Sequence, residues 1–255
     1  MQGGRNEYMG HNYFDNDAVF QRYMELRNKT VNYNNLVEQP SMRLLLPDLK
    51  NKIVLDMGCG FGVNCIDFIK MGAAKVVGID ISEKMLNVAM NQNANENIQY
   101  IKLNIENINE INFKFDLIYS SLTLHYIADF DKLVQKAYNI LNNNGIFLFS
   151  QEHPLCTAPL EGPTWIKDEH GVKISSPVSN YLENGERNLK WMNENRVVYH
   201  RSFSHIINNL IENGFSIMKI VEPAPTKHIL EIAPHLYDEI HRPTSIIIKT
   251  QKHNK

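Results

Sequence analysis

The chain has 255 residues, 43% of them hydrophobic and 21% charged, which is enough apolar material for a packed core and argues against disorder. Its 26 basic and 28 acidic side chains leave a formal charge of -2, which shows no basic bias toward nucleic acid, and its three cysteines lack the paired spacing of a disulfide framework or a zinc site. The first residues, MQGGRNEYMGHNYFDND, are polar and do not read as a signal peptide. No apolar run nears the ~20 residues of a membrane span.

In chain order, two short helices are expected within residues 1–49, one from near Asp15 and one at Pro40, where proline suits a first turn. Five apolar runs then read as buried strands: Ile53-Val54-Leu55, 75–79, 98–103, 115–119 and 146–150. Between them lie amphipathic helices. Ser82 is placed to cap one bearing Met85, Leu86, Ala89 and Asn93. Asp129 or Asp131 caps another with the stripe Leu133, Val134, Ala137, Ile140 and Leu141, ending at Asn144-Gly145. Residues 151–200 break the pattern, carry Trp165 and Trp191, and suggest a hairpin around Asn193 to Asn195. A helix with Phe203, Ile206, Ile207, Leu210 and Ile211 follows, and then strands at 215–221 and 245–249. Strand–helix alternation predicts an α/β, doubly wound sheet. The expected division is a single domain over 1–255: a helical cap (1–49), a cofactor-binding half (50–150), a substrate lid (151–200) and a C-terminal helix with two strands (201–255).

The sharpest motif is VLDMGCGFG, residues 54–62, in which a strand runs into a glycine turn and then a helix. Glycines permit close backbone approach to a ligand, and the helix start offers free N–H groups. Asp80 follows at the end of the second strand, where an acid meets ribose hydroxyls. Asp56 stands two residues before Gly58. An acid there would repel a pyrophosphate and attract an ammonium, which favours S-adenosylmethionine over NAD. An NAD-dependent oxidoreductase is the rival on the same fold, although the third-glycine spacing and a Tyr-x-x-x-Lys set are missing. A non-catalytic binding protein is the rival from another class, and the alternative for the loop is a tight turn in a domain that binds nothing.

With GIDIS at 78–82, this motif resembles the class I S-adenosylmethionine-dependent methyltransferases. The resemblance implies a Rossmann-like, seven-stranded sheet with an antiparallel last strand, N-terminal helices and an inserted lid after strand five. It implies that Gly58, Cys59 and Gly60 line the methionine part of the cofactor, that Asp80 binds the ribose hydroxyls, and that Ile81 and Met85 pack on the adenine. Asn104-Ile105 stand where the family places an acid facing the adenine amino group, and the Asn104 side-chain oxygen is an acceptor in its place. FDNDAVFQRYMELR, VEQPSMRLLLPDL, YSSLTLHYIADF, SQEHP and HRPTSIIIK are similar to a bacterial group related to the ubiquinone/menaquinone biosynthesis methyltransferases. Some of that group carry Glu-Trp-Pro where this chain has Glu38-Gln39-Pro40.

Methyl transfer needs alignment, plus a base where the acceptor carries a proton. Residues just after the fourth and fifth strands face the crevice of such a sheet. Ser120 is counted with the cofactor contacts, with Ser121 beside it; His125, Glu152 and His153 are the candidate catalytic groups. His125 reads equally as a packing histidine. Glu152-His153 is expected to act as a pair at the acceptor, with His153 as base. Tyr23 and Arg27, four apart on the first helix, close over the cofactor carboxylate or serve as core and surface residues. His200-Arg201 reads as a helix start in solvent or as a site pair. Cys59 has no basic neighbours to make it a nucleophile. YSSLTLHY lacks the Asn/Asp-Pro-Pro-aromatic run of amino-group nucleic-acid methyltransferases, and Pro154-Leu155-Cys156 has the wrong spacing for cytosine C5 chemistry. The expected acceptor is therefore a small molecule, with no nucleic acid, membrane or metal involved, in the cytoplasm.

Overall fold

A computed structural model describes residues 13–160, 165–191 and 194–253. A short 3-10 turn, Tyr13–Asp15, precedes α1 (Asp17–Asn28), capped by Asn16, whose side chain accepts the Ala18 and Val19 N–H groups. A π-helical turn, Asn34–Glu38, runs directly into α2 (Gln39–Arg43). Then come β1 (Ile53–Met57), α3 (Val63–Lys70), β2 (Lys75–Asp80), α4 (Glu83–Gln92), β3 (Ile98–Lys102) and β4 (Phe115–Ser120). Next are α5 (Phe130–Ile140), β5 (Leu141–Glu152) and the single turn α6 (Pro154–Thr157). Two hairpins follow, β6 (Ile166–Lys167) with β7 (Lys173–Ser175) and β8 (Gly185–Trp191) with β9 (Glu194–His200). The chain continues through α7 (Phe203–Glu212), β10 (Phe215–Val221), α8 (Lys227–Ile232), α9 (Asp238–His241) and β11 (Ser245–Lys252).

Seven strands form one sheet in the order β10-β11-β5-β4-β1-β2-β3. β11 runs antiparallel to both β5 and β10, and the pairings among β1 to β5 are parallel. This is the expected Rossmann-like topology. Successive side chains of a strand alternate between faces, so each strand feeds two cores. Leu55, Val77, Phe147, Phe149, Ile246 and Ile248 pack with α5 and α7 on one face. Val54, Val76, Tyr119, Leu148 and Ile247 pack with Met42, Phe68 and Leu86 on the other.

The caps expected at Ser82 and Asp129 are present, accepting the Met85 and Lys132 N–H groups at 3.2 and 3.0 Å. One boundary differs. Leu141 does not continue α5 but pairs with Phe115 as the first residue of β5. Asn144, at φ 60°, then forms an irregularity in that strand before the regular ladder resumes at Ile146. The hairpin expected near Asn193 is β8–β9; its turn, with Asn193, lies outside the described residues, as do the first 12 residues. The helices at 227–241 follow no pattern noted in the sequence. No helix among the described residues is long and apolar enough to cross a membrane.

Candidate active site

The glycine turn connects β1 to α3 at the C-terminal edge of the sheet. Gly58 and Gly60 have φ of 71° and 51°, conformations that L side chains rarely adopt. A Cβ on Gly58 would lie 2.4 Å from Thr123 Oγ1, so the loop after β4 sits directly on this glycine. A Cβ on Gly60 would meet nothing within 4 Å, so the backbone there borders open space. Asp80 closes the other side. Its Oδ2 accepts the Gly60 N–H and its Oδ1 the Ser82 N–H, both at 2.9 Å. Each oxygen keeps a lone pair for a further donor. Burial pushes the Asp80 carboxyl above its ordinary range, against the pull of these backbone donors.

Asp56 lies beneath the turn and is 1% exposed, with Cys65 Sγ donating to its Oδ2 at 3.3 Å. Burial pushes its carboxyl up to about 7. In this structure the Asp56 carboxyl is closed off from solvent beneath the turn. Cys59 is buried as well, and its sulfur faces Gly78, so only its backbone borders the crevice.

The other expected cofactor residues divide. Ile81 is partly exposed, whereas Met85 is 2% exposed and Ile105 belongs to the main core. Asn104 is a helix cap: its Oδ1 accepts the Glu106 N–H at 2.9 Å and keeps a second lone pair. Ser120 is fully buried and donates to the Met57 carbonyl at 2.9 Å, tying β4 to β1 rather than reaching the crevice. Tyr23 packs on Phe61 of the glycine turn, with ring centroids 5.7 Å apart. Arg27, one turn further along α1, donates to Asn34 Oδ1.

Glu152 and His153 are bound to different partners, because neighbouring side chains at a strand end diverge. Glu152 forms a buried ion pair with Arg196 of β9, whose Nη1 donates to the Tyr126 hydroxyl at 3.1 Å. Burial would raise the Glu152 carboxyl, but the Arg196 guanidinium in contact with it helps bring the net shift downward. His153 caps α6 through Nδ1, which accepts the Leu155 N–H at 3.1 Å, and its Nε2 donates to Glu222 at 2.9 Å. His125 Nδ1 accepts the Glu152 N–H at 3.2 Å, and burial lowers its pKa to about 4. In this structure each imidazole has its one basic lone pair on a backbone N–H. His200-Arg201 is not a solvated helix start: His200 contacts Thr157 Oγ1 and donates to the Tyr181 carbonyl, while Arg201 holds the Leu124, Ile127 and Ala128 carbonyls of the β4–α5 loop.

Several site residues escaped sequence reasoning. Glu38 is fully buried, with Ser121 and Ser150 donating to its Oε1 at 2.9 and 2.5 Å; burial raises its carboxyl in spite of them. An acid in the helical segment VEQPSM was its only signal. Leu122 takes φ 50° between Ser121 and Thr123, a strained conformation for a bulky residue, held by its N–H bond to Ser150 Oγ. On the hairpin, Arg196, Val198 and His200 alternate inward, a signal legible only once the inner face is known. Trp191 joins Tyr13, Phe14, Tyr23 and Tyr126 in one aromatic cluster over the strand ends, with Trp191 and Tyr23 centroids 6.1 Å apart.

A positive-φ glycine turn open at Gly60, an acid after β2 with spare lone pairs and a guanidinium on the covering helix suit an adenosyl amino acid: acceptors for a ribose diol, a cation for a carboxylate. Fold and site together define an S-adenosylmethionine-dependent methyltransferase. Residues 48–219 match the family described as "Methyltransferase domain", and the chain belongs to it. A crystal structure from Listeria monocytogenes, provisionally described as an S-adenosylmethionine-dependent methyltransferase, is 38% identical with a TM-score of 0.79, over 85% of this chain and 97% of that one. An S-adenosylmethionine-dependent methyltransferase from Mesorhizobium loti is 34% identical with a TM-score of 0.77, over 84% and 97%. An uncharacterized protein of Haemophilus influenzae is 36% identical over 95% of this chain and 97% of its own length.

Proposed function

We propose that the chain methylates a small molecule held at the C-terminal ends of β4 and β5, beneath the β8–β9 hairpin, in the cytoplasm. The observation that carries this reading is the aromatic cluster of Tyr13, Phe14, Tyr23, Tyr126 and Trp191, which packs side chains from three separate segments together. A site covered by such a cluster suits a compact acceptor better than a polymer, and the net charge of -2 supplies no attraction for a phosphate backbone. Three free cysteines suit a reducing compartment.

The bound cofactor supplies an electrophilic methyl on a sulfonium. In this reading Asp80 takes the ribose hydroxyls, the Gly58–Gly60 backbone lines the methionine portion, Ile81 faces the adenine and Arg27 meets the carboxylate. The acceptor lies toward Glu152, Arg196 and Tyr126. Neither His125 nor His153 has a free lone pair, and Arg196 holds the Glu152 carboxylate in its weakly basic form. The protein therefore works by aligning the reactants and excluding water. An acceptor proton, where there is one, leaves before binding or after transfer.

The test is incubation with labelled-methyl S-adenosylmethionine and a cell extract separated into small molecules, protein, DNA and RNA. Label is expected in the small-molecule fraction. Label confined to a macromolecular fraction refutes the acceptor class.

A further inference from the structure

A fully buried carboxylate is expensive unless its surroundings are built for it. Those of Glu38 are. Asn34 Nδ2 donates to its Oε2 at 3.0 Å, and the hydroxyls of Ser121 and Ser150 donate to its Oε1. Each of these partners is itself fed from behind. Asn34 Oδ1 accepts from the Arg27 guanidinium. Ser150 Oγ accepts the Leu122 N–H, and Ser121 Oγ accepts from Gln39 Nε2, both at 2.9 Å. Every proton in the network points toward residue 38, so its terminus has to be a group that only accepts, which a carboxylate is and an amide is not.

One arm of this network leaves the sheet and reaches α1. Arg27 lies one turn beyond Tyr23, and residues four apart share a helix face. Tyr23 already rests on Phe61 of the glycine turn. The Arg27–Asn34–Glu38 chain thus fixes a guanidinium on the face of α1 that covers the cofactor loop. We propose that Glu38 is a positioning residue for cofactor binding: through Asn34 it aims the Arg27 guanidinium at the carboxylate of the cofactor's amino-acid portion. The inference rests on the placement of that carboxylate proposed above. Glu38→Gln would put an NH₂ group among donors. Asn34 has no easy remedy, since turning its amide would set Nδ2 against the Arg27 cation.

Calorimetric titration with two nucleosides tests this. S-adenosylhomocysteine carries the amino-acid carboxylate; methylthioadenosine has the same nucleoside and sulfur but lacks the amino acid. Glu38→Gln is expected to weaken S-adenosylhomocysteine about 10-fold or more, the size of one lost hydrogen bond to a charged group, and to leave methylthioadenosine unchanged. Asn34→Ala, which keeps Glu38 and both serines, is expected to give the same split and guards against a folding defect in the first variant. Equal weakening of both ligands, or of neither, overturns the positioning role. A wild-type protein that binds neither nucleoside overturns the cofactor placement itself.

Discussion

His153 is a helix cap before it is anything else. Its Nδ1 accepts the Leu155 N–H and its Nε2 is spent on Glu222. His153→Ala is therefore expected to cost about 1 kcal/mol of stability, the usual loss for a cap, and to leave kcat nearly unchanged. A fall of ~100-fold in kcat, as for loss of a general base, would restore the catalytic assignment. Asp56 gives a pH signature. Its folded pKa, about 7, lies above the ordinary 3.8, so the folded state holds this proton more tightly than the unfolded one. The group imposes no penalty below pH 3.8. Its cost grows as pH rises to 7 and is then constant, at up to ~4 kcal/mol. In the ligand-free protein, the Tm of Asp56→Asn is expected to rise relative to wild type across that window. A pH-independent difference would show that Asp56 titrates normally.

At the scale of elements, the β8–β9 hairpin is fastened to the sheet by the buried pair of Arg196 and Glu152. Arg196→Met leaves a carboxylate buried without its counter-charge and is expected to cost about 3–5 kcal/mol in urea denaturation. Removing both charges in Glu152→Met/Arg196→Met should recover most of that, because an apolar pair carries no desolvation penalty. A double variant no more stable than the single one would mean that the hairpin is held by its packing alone. This fastening was not legible in the sequence. Arg196 stands in ENRVVYH among polar and apolar neighbours alike, and its partner lies 44 positions away. Elements whose signal is local were legible: the seven sheet strands by their apolar runs, and the caps at Ser82 and Asp129 by side chains that bond within one turn. The glycine turn and Asp80 were legible too, because backbone conformation and spacing specify them. The surroundings of Ser120, Asn104 and the Glu152-His153 pair were not legible for a common reason: each depends on where a side chain points once its own neighbours have claimed it.

The whole molecule is expected to respond to one ligand class. A ligand that binds only the folded state raises Tm by mass action, with about 2.7 kcal/mol of added stability at 100 times its Kd. S-adenosylhomocysteine should raise the Tm of wild type and not that of Asp80→Ala, and NADH should raise neither; a shift with NADH alone would displace the cofactor assignment. The sheet order carries a consequence for synthesis. β11 sits between β5 and β10, yet it is the last of the seven strands to leave the ribosome. Until it does, residues 146–152 of β5 present an unpaired edge that includes Phe147 and Phe149, the kind of edge on which nascent chains adhere to one another. β10 meanwhile has no partner strand at all. The nascent chain thus spends the interval between residues 152 and 252 with its sheet open on that side, and the gap closes only when β11 is in place.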